Sequence, residues 1–216
     1  MLAHRTLVLA LVTSLALPAL GAAAAPKKPK LICNMVLDDK GDPYVLRQQP
    51  DAKQADDALD LVSADIASNA TTMTMVIRLA KLAVPPATSP VGGTYQVTFT
   101  LSGNDETLYY ALVSTDPSGA PFSEFGTRDA LPAVTSVATV LGTPTAVVDL
   151  AKSQVRASWP LSLFGSGVTL KKGVTKVFPV EVTAGRGTHG RGVFADDATG
   201  SKGYPLGAPS CVTVGK

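Results

Sequence analysis

The chain has 216 residues, with 19 Lys and Arg against 17 Asp and Glu and a formal net charge of +2. A charge so close to zero gives no electrostatic basis for binding nucleic acid or an anionic membrane surface. The length fits one domain preceded by a removable leader.

The first 25 residues have the features of a secretory signal peptide. Arg5 precedes an apolar stretch at residues 7–17, and small residues follow in "GAAAA". The stretch is shorter than the roughly 20 residues that a spanning helix needs. We therefore expect cleavage between Ala22 and Pro26, with no membrane insertion afterwards. Residues 26–30 are then a linker, residues 31–216 are the domain, and the protein is secreted to the extracellular space.

The domain opens with "LICNMVLDDKGDPYVL", in which residues 38–42 form what we call the acidic turn. Residues 38–65 hold eight Asp against three Lys or Arg, and neighbouring carboxylates repel one another unless a cation lies between them. The spacing does not fit an EF-hand loop, but calcium accepts oxygen ligands from several loops. We predict a calcium site formed by Asp39, Asp42 and Asp60, with Asp38, Asp57 and Asp196 as further candidate ligands. The alternative is a solvated turn with Asx-type hydrogen bonds.

A period of two in the apolar residues predicts β-strands through most of the domain. The alternation is clearest in "TMTMVIRLAKL", "GTYQVTFTLSG" and "VRASWPLSLFG". The residues predicted to share the inward faces of these strands are Met73, Met75, Ile77 and Leu79, then Tyr95, Val97, Phe99 and Leu101, and then Val155, Ala157, Trp159 and Leu161. Turn segments such as "SGND" and "DPSGAP" separate the strands.

About nine such strands, with no long helical pattern, predict an all-β fold. We expect a single antiparallel β-sandwich of jelly-roll-like form. A long Gly-rich C-terminal loop, "GRGTHGRGVFADDATGSKGYPLGAPS", is expected to run over the surface before a last short strand, "CVTV".

Two short motifs are interpreted as structural. "GRGTHG" at residues 185–190 matches G-x-G-x-x-G, but a dinucleotide site also needs a following helix in a parallel unit, which this sequence does not predict. Asn69 begins a formal glycosylation sequon, and we interpret it as a hairpin turn before the strand "MTMVIRL".

Two cysteines, Cys33 and Cys211, lie near the two ends of the domain. In an oxidising compartment such a pair is most simply a disulfide that closes almost the whole domain into one loop. The alternative is two buried thiols.

Several catalytic chemistries lack the residues that they require. His189 is the only histidine of the domain, which excludes zinc sites that need two or three imidazoles. No G-x-S-x-G or H-E-x-x-H motif is present. We therefore predict that the protein is not an enzyme, since none of its three Glu residues, Glu106, Glu124 and Glu181, lies in a recognisable catalytic setting. The alternative is a secreted hydrolase with unrecognised catalytic carboxylates.

A strand, the element "DDKGD", the segment "ALDLVSADIASNATTMTMVIRLAKL", and later "WPLSLFG" and "GYPLGAPSCV" together resemble secreted bacterial β-sandwich domains. This group is similar to DOMON-like and family 9 carbohydrate-binding-like domains, and the resemblance spans most of residues 31–214. It implies a jelly-roll-like sandwich, often with an N-terminal calcium site, and a sugar or haem ligand. Haem asks for Met and His ligands from facing strands, whereas His189 lies in a glycine loop and Met73 and Met75 alternate like core residues, so haem binding is the weaker alternative.

The combined prediction is an exported, non-catalytic β-sandwich domain with a binding or structural role at the cell surface or in the medium. Calcium would stabilise it, and its partner would be an extracellular glycan or a cell-envelope component. Sugar binding favours an outward aromatic side chain, for which the chain offers Tyr44, Tyr109, Tyr110, Trp159 and Tyr204, with Trp159 sharing a face with core residues. Tyr109 and Tyr110 point to opposite faces of their strand, so one of them faces outward and both are candidate ligand-binding residues.

Overall fold

The computed structural model of the protein describes residues 29–41, 57–84, 92–129, 138–188, 191–200 and 202–215. Within these ranges the chain forms twelve strands and one short 3₁₀ turn at Leu161–Phe164. The strands are β1 Val36–Leu37, β2 Leu61–Ser68, β3 Thr72–Leu79, β4 Gly93–Leu101, β5 Asn104–Thr115, β6 Pro121–Asp129, β7 Thr139–Gly142, β8 Thr145–Asp149, β9 Gln154–Pro160, β10 Lys176–Thr188, β11 Arg191–Ala198 and β12 Tyr204–Pro205. No helix in the described ranges is long and apolar enough to cross a membrane.

The strands form two antiparallel sheets. The first has five strands in the order β1-β2-β3-β9-β8, and the second has seven, in the order β11-β10-β4-β5-β6-β7 with β12 beside β10. The predicted all-β sandwich is confirmed, with twelve strands in the described ranges where the sequence predicted about nine. The predicted signal peptide, the linker up to Lys28, Asp42, Tyr44 and His189 lie outside the described residues.

The inward faces predicted from the alternating pattern form the core between the two sheets. Met73, Met75 and Phe99 are fully buried, and Trp159 is 1% exposed. The rings that meet at the centre of the core, with centroids 5.0–6.5 Å apart, belong to Phe99, Tyr109, Phe125, Trp159 and Phe164. Leu161 departs from the predicted pattern, because β9 ends at Pro160 and Leu161 begins the 3₁₀ turn.

The hairpin between β2 and β3 turns at Asn69, as the sequence predicted. The Asn69 side-chain oxygen accepts hydrogen bonds from the backbone N–H groups of Thr71 (2.9 Å) and Thr72 (2.8 Å). This Asx-type turn sets the register of the two strands, in which Ile66 faces Met75.

The Gly-rich C-terminal region differs from the prediction of a long surface loop. Arg191–Ala198 forms β11, which pairs with β10 from Val182 to Thr188, and Tyr204–Pro205 forms β12. The segment "CVTV" at residues 211–214 is not a strand. Glycines carry no side chain to alternate, so the periodic signal that identifies strands is lost here while the backbone still pairs.

Residues 208–215 form what we call the tail, which crosses the outer face of the five-stranded sheet. Ser210 donates a hydrogen bond to the Ile66 carbonyl (3.2 Å), and Val212 packs on Ala67 and Val76. The predicted disulfide is confirmed: Cys33 and Cys211 are bonded across a sequence separation of 178, with their Cα atoms 5.3 Å apart. The disulfide therefore fastens the tail to the segment that enters β1.

Candidate functional site

One of the predicted calcium ligands, Asp60, is buried next to the acidic turn. Asp60 is 1% exposed and lies directly before β2. Both of its carboxylate oxygens accept hydrogen bonds from the backbone N–H of Gly41, at 3.0 and 2.9 Å. Gly41 has φ of +95°, a left-handed conformation that glycine adopts without strain and that turns its N–H toward the carboxylate.

A second predicted ligand, Asp196, lies at the same end of the sandwich. It is 2% exposed, and one of its carboxylate oxygens accepts a hydrogen bond from the backbone N–H of Leu61 at 2.7 Å. Since Leu61 follows Asp60 directly, Asp196 is bonded to the residue next to Asp60 at the start of β2. Asp196 belongs to β11 of the other sheet, so this contact also links the two sheets.

The other predicted calcium ligands are placed differently. Asp39 and Asp57 are exposed, Asp38 is half-buried, and Asp42 lies outside the described residues. In the part of the chain that the structure describes, no group of three His, Cys, Asp or Glu side chains is arranged to hold a metal ion. Two residues of the predicted set, Asp60 and Asp196, are thus buried at the start of β2, and a complete ligand sphere would need oxygens beyond those described.

Burial of the charged Asp60 carboxylate destabilises the folded protein unless other groups offset the charge. A carboxylate removed from water needs several hydrogen bonds or an opposite charge. Among the described residues the Asp60 side chain has one donor, the Gly41 amide, and no salt bridge to Lys or Arg. A bound cation would supply the missing compensation.

The two candidate tyrosines face opposite sides of β5, as predicted. Tyr109 lies in the aromatic core, where burial raises its pKa against the opposing effect of the Asn104 hydrogen bond. Tyr110 faces outward but is only 4% exposed, since its ring lies over Gly126 and its hydroxyl donates a hydrogen bond to Glu124. Neither tyrosine offers an open ring face, and Trp159 and Tyr204 are also buried, so none of these four rings forms a sugar-stacking platform.

Around Tyr110 the outer face of the seven-stranded sheet carries a connected polar network. Arg128 donates to the Thr98 hydroxyl (3.1 Å) and pairs with Glu181 at 3.6 Å, and Gln96 donates to the same hydroxyl at 2.9 Å. Burial, then the hydrogen bond to Glu124 and that residue's negative charge, raises the pKa of Tyr110 well above its ordinary value of 10.0, while Arg128 lowers it. The hydrogen-bonding groups of these side chains are therefore paired with one another, which is typical of a network that stabilises the fold.

A groove of about 320 Å³ lies on the outer face of the five-stranded sheet, between the end of the tail and the edge strand β8. Its described lining comes from β3, β8, β9 and the tail: Thr72, Thr145, Val147, Arg156, Ser158, Trp159, Pro160 and Gly215. The register places Thr145 opposite Ser158 and Val147 opposite Arg156. Outward alternation along β8 and β9 therefore sets hydroxyl groups beside a guanidinium group in one depression.

The tail holds Arg156 in position at this groove. Its Nη1 donates to the Thr213 carbonyl at 2.7 Å, and the side chain is half-buried. Burial, followed by the positive charge of the nearby Arg78, lowers the pKa of Arg156 from its ordinary value, and the negative charge of Asp149 partly opposes this shift. Arg78 itself is paired with the buried Asp65 carboxylate at 2.6 Å.

The protein is thus a disulfide-linked β-sandwich with an acidic turn at one end and a polar groove on the outer face of one sheet. No protein-family model, curated protein or solved structure matches this chain. Sequence reasoning identified the acidic turn, but the groove was not predicted. The only signal for it was the outward set of Thr, Ser and Arg residues in "MTMVIRL" and "VRASWP".

Proposed function

We propose that the protein is an exported, non-catalytic binding domain that acts at the cell surface or in the medium and holds a carbohydrate in the groove. The groove carries this proposal: it combines hydroxyls of Thr145 and Ser158, the Arg156 guanidinium and the apolar surface of Val147 and Pro160. Sugars present alternating hydroxyl and C–H groups, which need such mixed linings, and a few placed polar groups in a concave site are typical of ligand binding.

The lining of the groove favours binding over catalysis. Its described residues include no Asp, Glu, His or Cys. General acid–base catalysis needs a titratable group at the substrate, and a Ser or Thr nucleophile needs a neighbouring base. The described lining supplies no such group, and the hydroxyl nearest to that of Ser158, at 2.8 Å, is the Thr74 hydroxyl, which is not a base.

The seven-stranded sheet is the less suitable binding face. Its central polar groups are already engaged with one another, and Gln96, Thr98 and Tyr110 are each at most 8% exposed. A ligand on this face would have to break hydrogen bonds that the side chains already make with one another, and little additional surface is left there for it to bury.

Calcium at the acidic turn is a second part of the proposal. Asp60, with Asp39 and Asp42 from the turn, would supply carboxylate oxygens, and Asp196 would add another from β11. The burial of Asp60 beside a single amide donor supports a cation at this point. Because Asp60 directly precedes β2 and Asp196 lies in β11 of the other sheet, the ion would join the sheets and stabilise the sandwich.

A blocking experiment tests the binding proposal. The protein starting at residue 26 is presented to a glycan array as wild type and as two variants, Thr145→Trp in the groove and Val140→Trp on the edge strand of the other sheet. Both positions are exposed, so the two variants add the same bulk at matched sites. Glycan binding that Thr145→Trp removes and Val140→Trp preserves supports the groove. An array without any bound glycan, or equal loss in both variants, contradicts the proposal.

Export is tested on the protein itself. Expression with its own leader in a bacterial host should yield a periplasmic or secreted chain whose mass starts between Ala22 and Pro26. A chain that keeps Met1 and stays in the cytosol contradicts export.

A further inference from the structure

We infer that the groove binds an acidic saccharide and that Arg156 is the ligand of its carboxylate. This inference rests on the proposed function and adds the charge of the ligand. It starts from the charges on the outer face of the five-stranded sheet.

Arg156 differs from the other arginines that the two outer faces present. Arg78 pairs with Asp65 at 2.6 Å, and Arg128 pairs with Glu181 at 3.6 Å. Within the described ranges Arg156 has no salt bridge, and its one hydrogen bond goes to a neutral carbonyl, that of Thr213. The nearest acidic residue along β8, Asp149, is paired with Lys152 at 3.1 Å. Arg156 thus forms no direct salt bridge among the described residues, and the nearby Asp149 carboxylate, which attracts it, is bonded to Lys152.

The guanidinium has donors left for a ligand. Arginine has five N–H groups in a fixed plane, and the contact with Thr213 uses one of its two terminal nitrogens. A carboxylate matches the remaining fork with two parallel hydrogen bonds, which are stronger than those between neutral groups. An anion would also offset the repulsion between Arg156 and Arg78, which together with burial lowers the pKa of Arg156.

The surroundings of Arg156 indicate a sugar as the carrier of the carboxylate. Ser158 lies two residues along the same face of β9, about 6.8 Å away, and Thr145 stands opposite Ser158 on β8. Their hydroxyls both donate and accept, as the hydroxyls of a sugar require. A bare inorganic anion would use Arg156 and make no use of the Thr145 and Ser158 hydroxyls.

The tail makes the site depend on the disulfide. Thr213, which positions Arg156, is two residues from Cys211, and Gly215 closes one side of the groove through its N–H bond to Thr74 (3.1 Å). Loss of the disulfide should therefore weaken ligand binding as well as folding.

A titration followed by ¹H–¹⁵N NMR tests the inference on the protein starting at residue 26. The probes are glucuronate, glucose and inorganic phosphate at constant ionic strength and neutral pH. Glucuronate and glucose differ only at C6, where glucuronate has a carboxylate and glucose has a hydroxymethyl group, so the comparison isolates the carboxylate. Shifts are expected at residues 145–147, 156–160 and 213–215, with glucuronate binding roughly 10- to 100-fold more tightly than glucose, the range for hydrogen bonds to a charged group.

Three variants accompany the titration. Arg156→Gln should bring glucuronate affinity down to that of glucose, Arg156→Lys should restore part of it, and Arg128→Gln on the other face should leave it unchanged. Melting temperatures check that each variant is folded, and Arg156→Lys keeps the test valid if the Gln variant is destabilised.

The outcomes separate the inference from the proposed function. Equal affinity for glucose and glucuronate overturns the acidic ligand and leaves carbohydrate binding in place. Phosphate affinity equal to that of glucuronate shows an anion site without sugar recognition and overturns the inference. Unchanged glucuronate affinity in Arg156→Gln also overturns it. No binding of either sugar contradicts the proposed function itself.

Discussion

On the five-stranded sheet the chain covers its own outer face with the tail, whereas on the seven-stranded sheet side chains bond to one another across the strands. The tail is held by the Cys33–Cys211 bond and by the packing of Val212 on Val76. On the other sheet, hydrogen bonds join Arg128 to Thr98 and Tyr110 to Glu124.

This difference decides where a binding site can form. Hydrogen bonds among side chains leave few free donors, so the seven-stranded face is complete in itself. The tail crosses only part of its sheet, and it leaves a groove beside β8 with an arginine that has no acidic partner among the described residues. The tail, as a separate segment over the five-stranded sheet, thus leaves room for a binding site, whereas the paired side chains of the seven-stranded sheet do not.

Removal of the disulfide should have the largest effect on this arrangement. We expect Cys33→Ser with Cys211→Ser to lower the free energy of unfolding by about 2–4 kcal/mol, because the bond closes a very long loop. Chemical denaturation of wild type and variant measures the change. Hydrogen exchange should rise at residues 74–76 under the tail before it rises at residues 96–98. Equal exchange on both faces contradicts the view that the tail alone depends on the bond.

Calcium should stabilise the junction of the two sheets. At a hundredfold excess over its dissociation constant, a bound ion adds about 2.7 kcal/mol. The melting temperature should therefore be higher in calcium than in chelator at constant ionic strength, and Asp60→Asn should abolish the difference.

Asp197→Asn is the matched control for the calcium experiment, since Asp197 is exposed and adjoins the buried Asp196. It should keep the calcium effect. The titration has to extend to several millimolar, since extracellular calcium modules have dissociation constants up to about 1 mM. Superimposed melting curves over that range mean that the acidic turn is only solvated.

Truncation of the tail's apolar contact should have a smaller effect. Val212→Ala removes buried surface over Val76 and should cost about 1–2 kcal/mol. Val180→Ala, at a position 42% exposed on β10, is the control and should cost less than about 0.5 kcal/mol. Denaturant titration compares the two variants, and similar losses in both would argue against packing of the tail.

The smallest effect should come from the polar network at alkaline pH. Folding raises the pKa of Tyr110 above 10.0, so its contribution to stability is complete below pH 10 and is lost as the pH rises toward the folded pKa. Tyr110→Phe should cost about 1 kcal/mol at neutral pH and should flatten the fall in stability above pH 10. Urea titrations between pH 7 and pH 11 measure both quantities. An unchanged alkaline slope in the variant would show that Tyr110 does not titrate as described.

Much of the fold could be predicted because its strands alternate. The inward positions of Met73, Met75 and Trp159 follow from a period of two, and the disulfide follows from two cysteines in a chain predicted to be exported. The strand at Arg191–Ala198 was missed because glycine and paired acids hide that period.

The sites were less predictable because they depend on burial and pairing between distant segments. The sequence shows the acids near Asp60, but not that Asp60 is buried or that Asp196, from the other sheet, accepts a hydrogen bond from the neighbouring Leu61. In the same way, Arg78 and Arg156 look alike in the sequence. Only the structure shows that Arg78 forms a salt bridge with Asp65, whereas Arg156 forms none among the described residues.

The central claim is that the tail-bounded face binds the ligand and the seven-stranded face does not. Hydrogen–deuterium exchange of the protein starting at residue 26, with and without a saturating glucuronate oligosaccharide, tests it most directly. The account predicts slower exchange at residues 145–147, 154–160 and 210–215 and no change at residues 96–98, 108–114 and 122–128. Protection of the second set, or of neither set, would contradict the account.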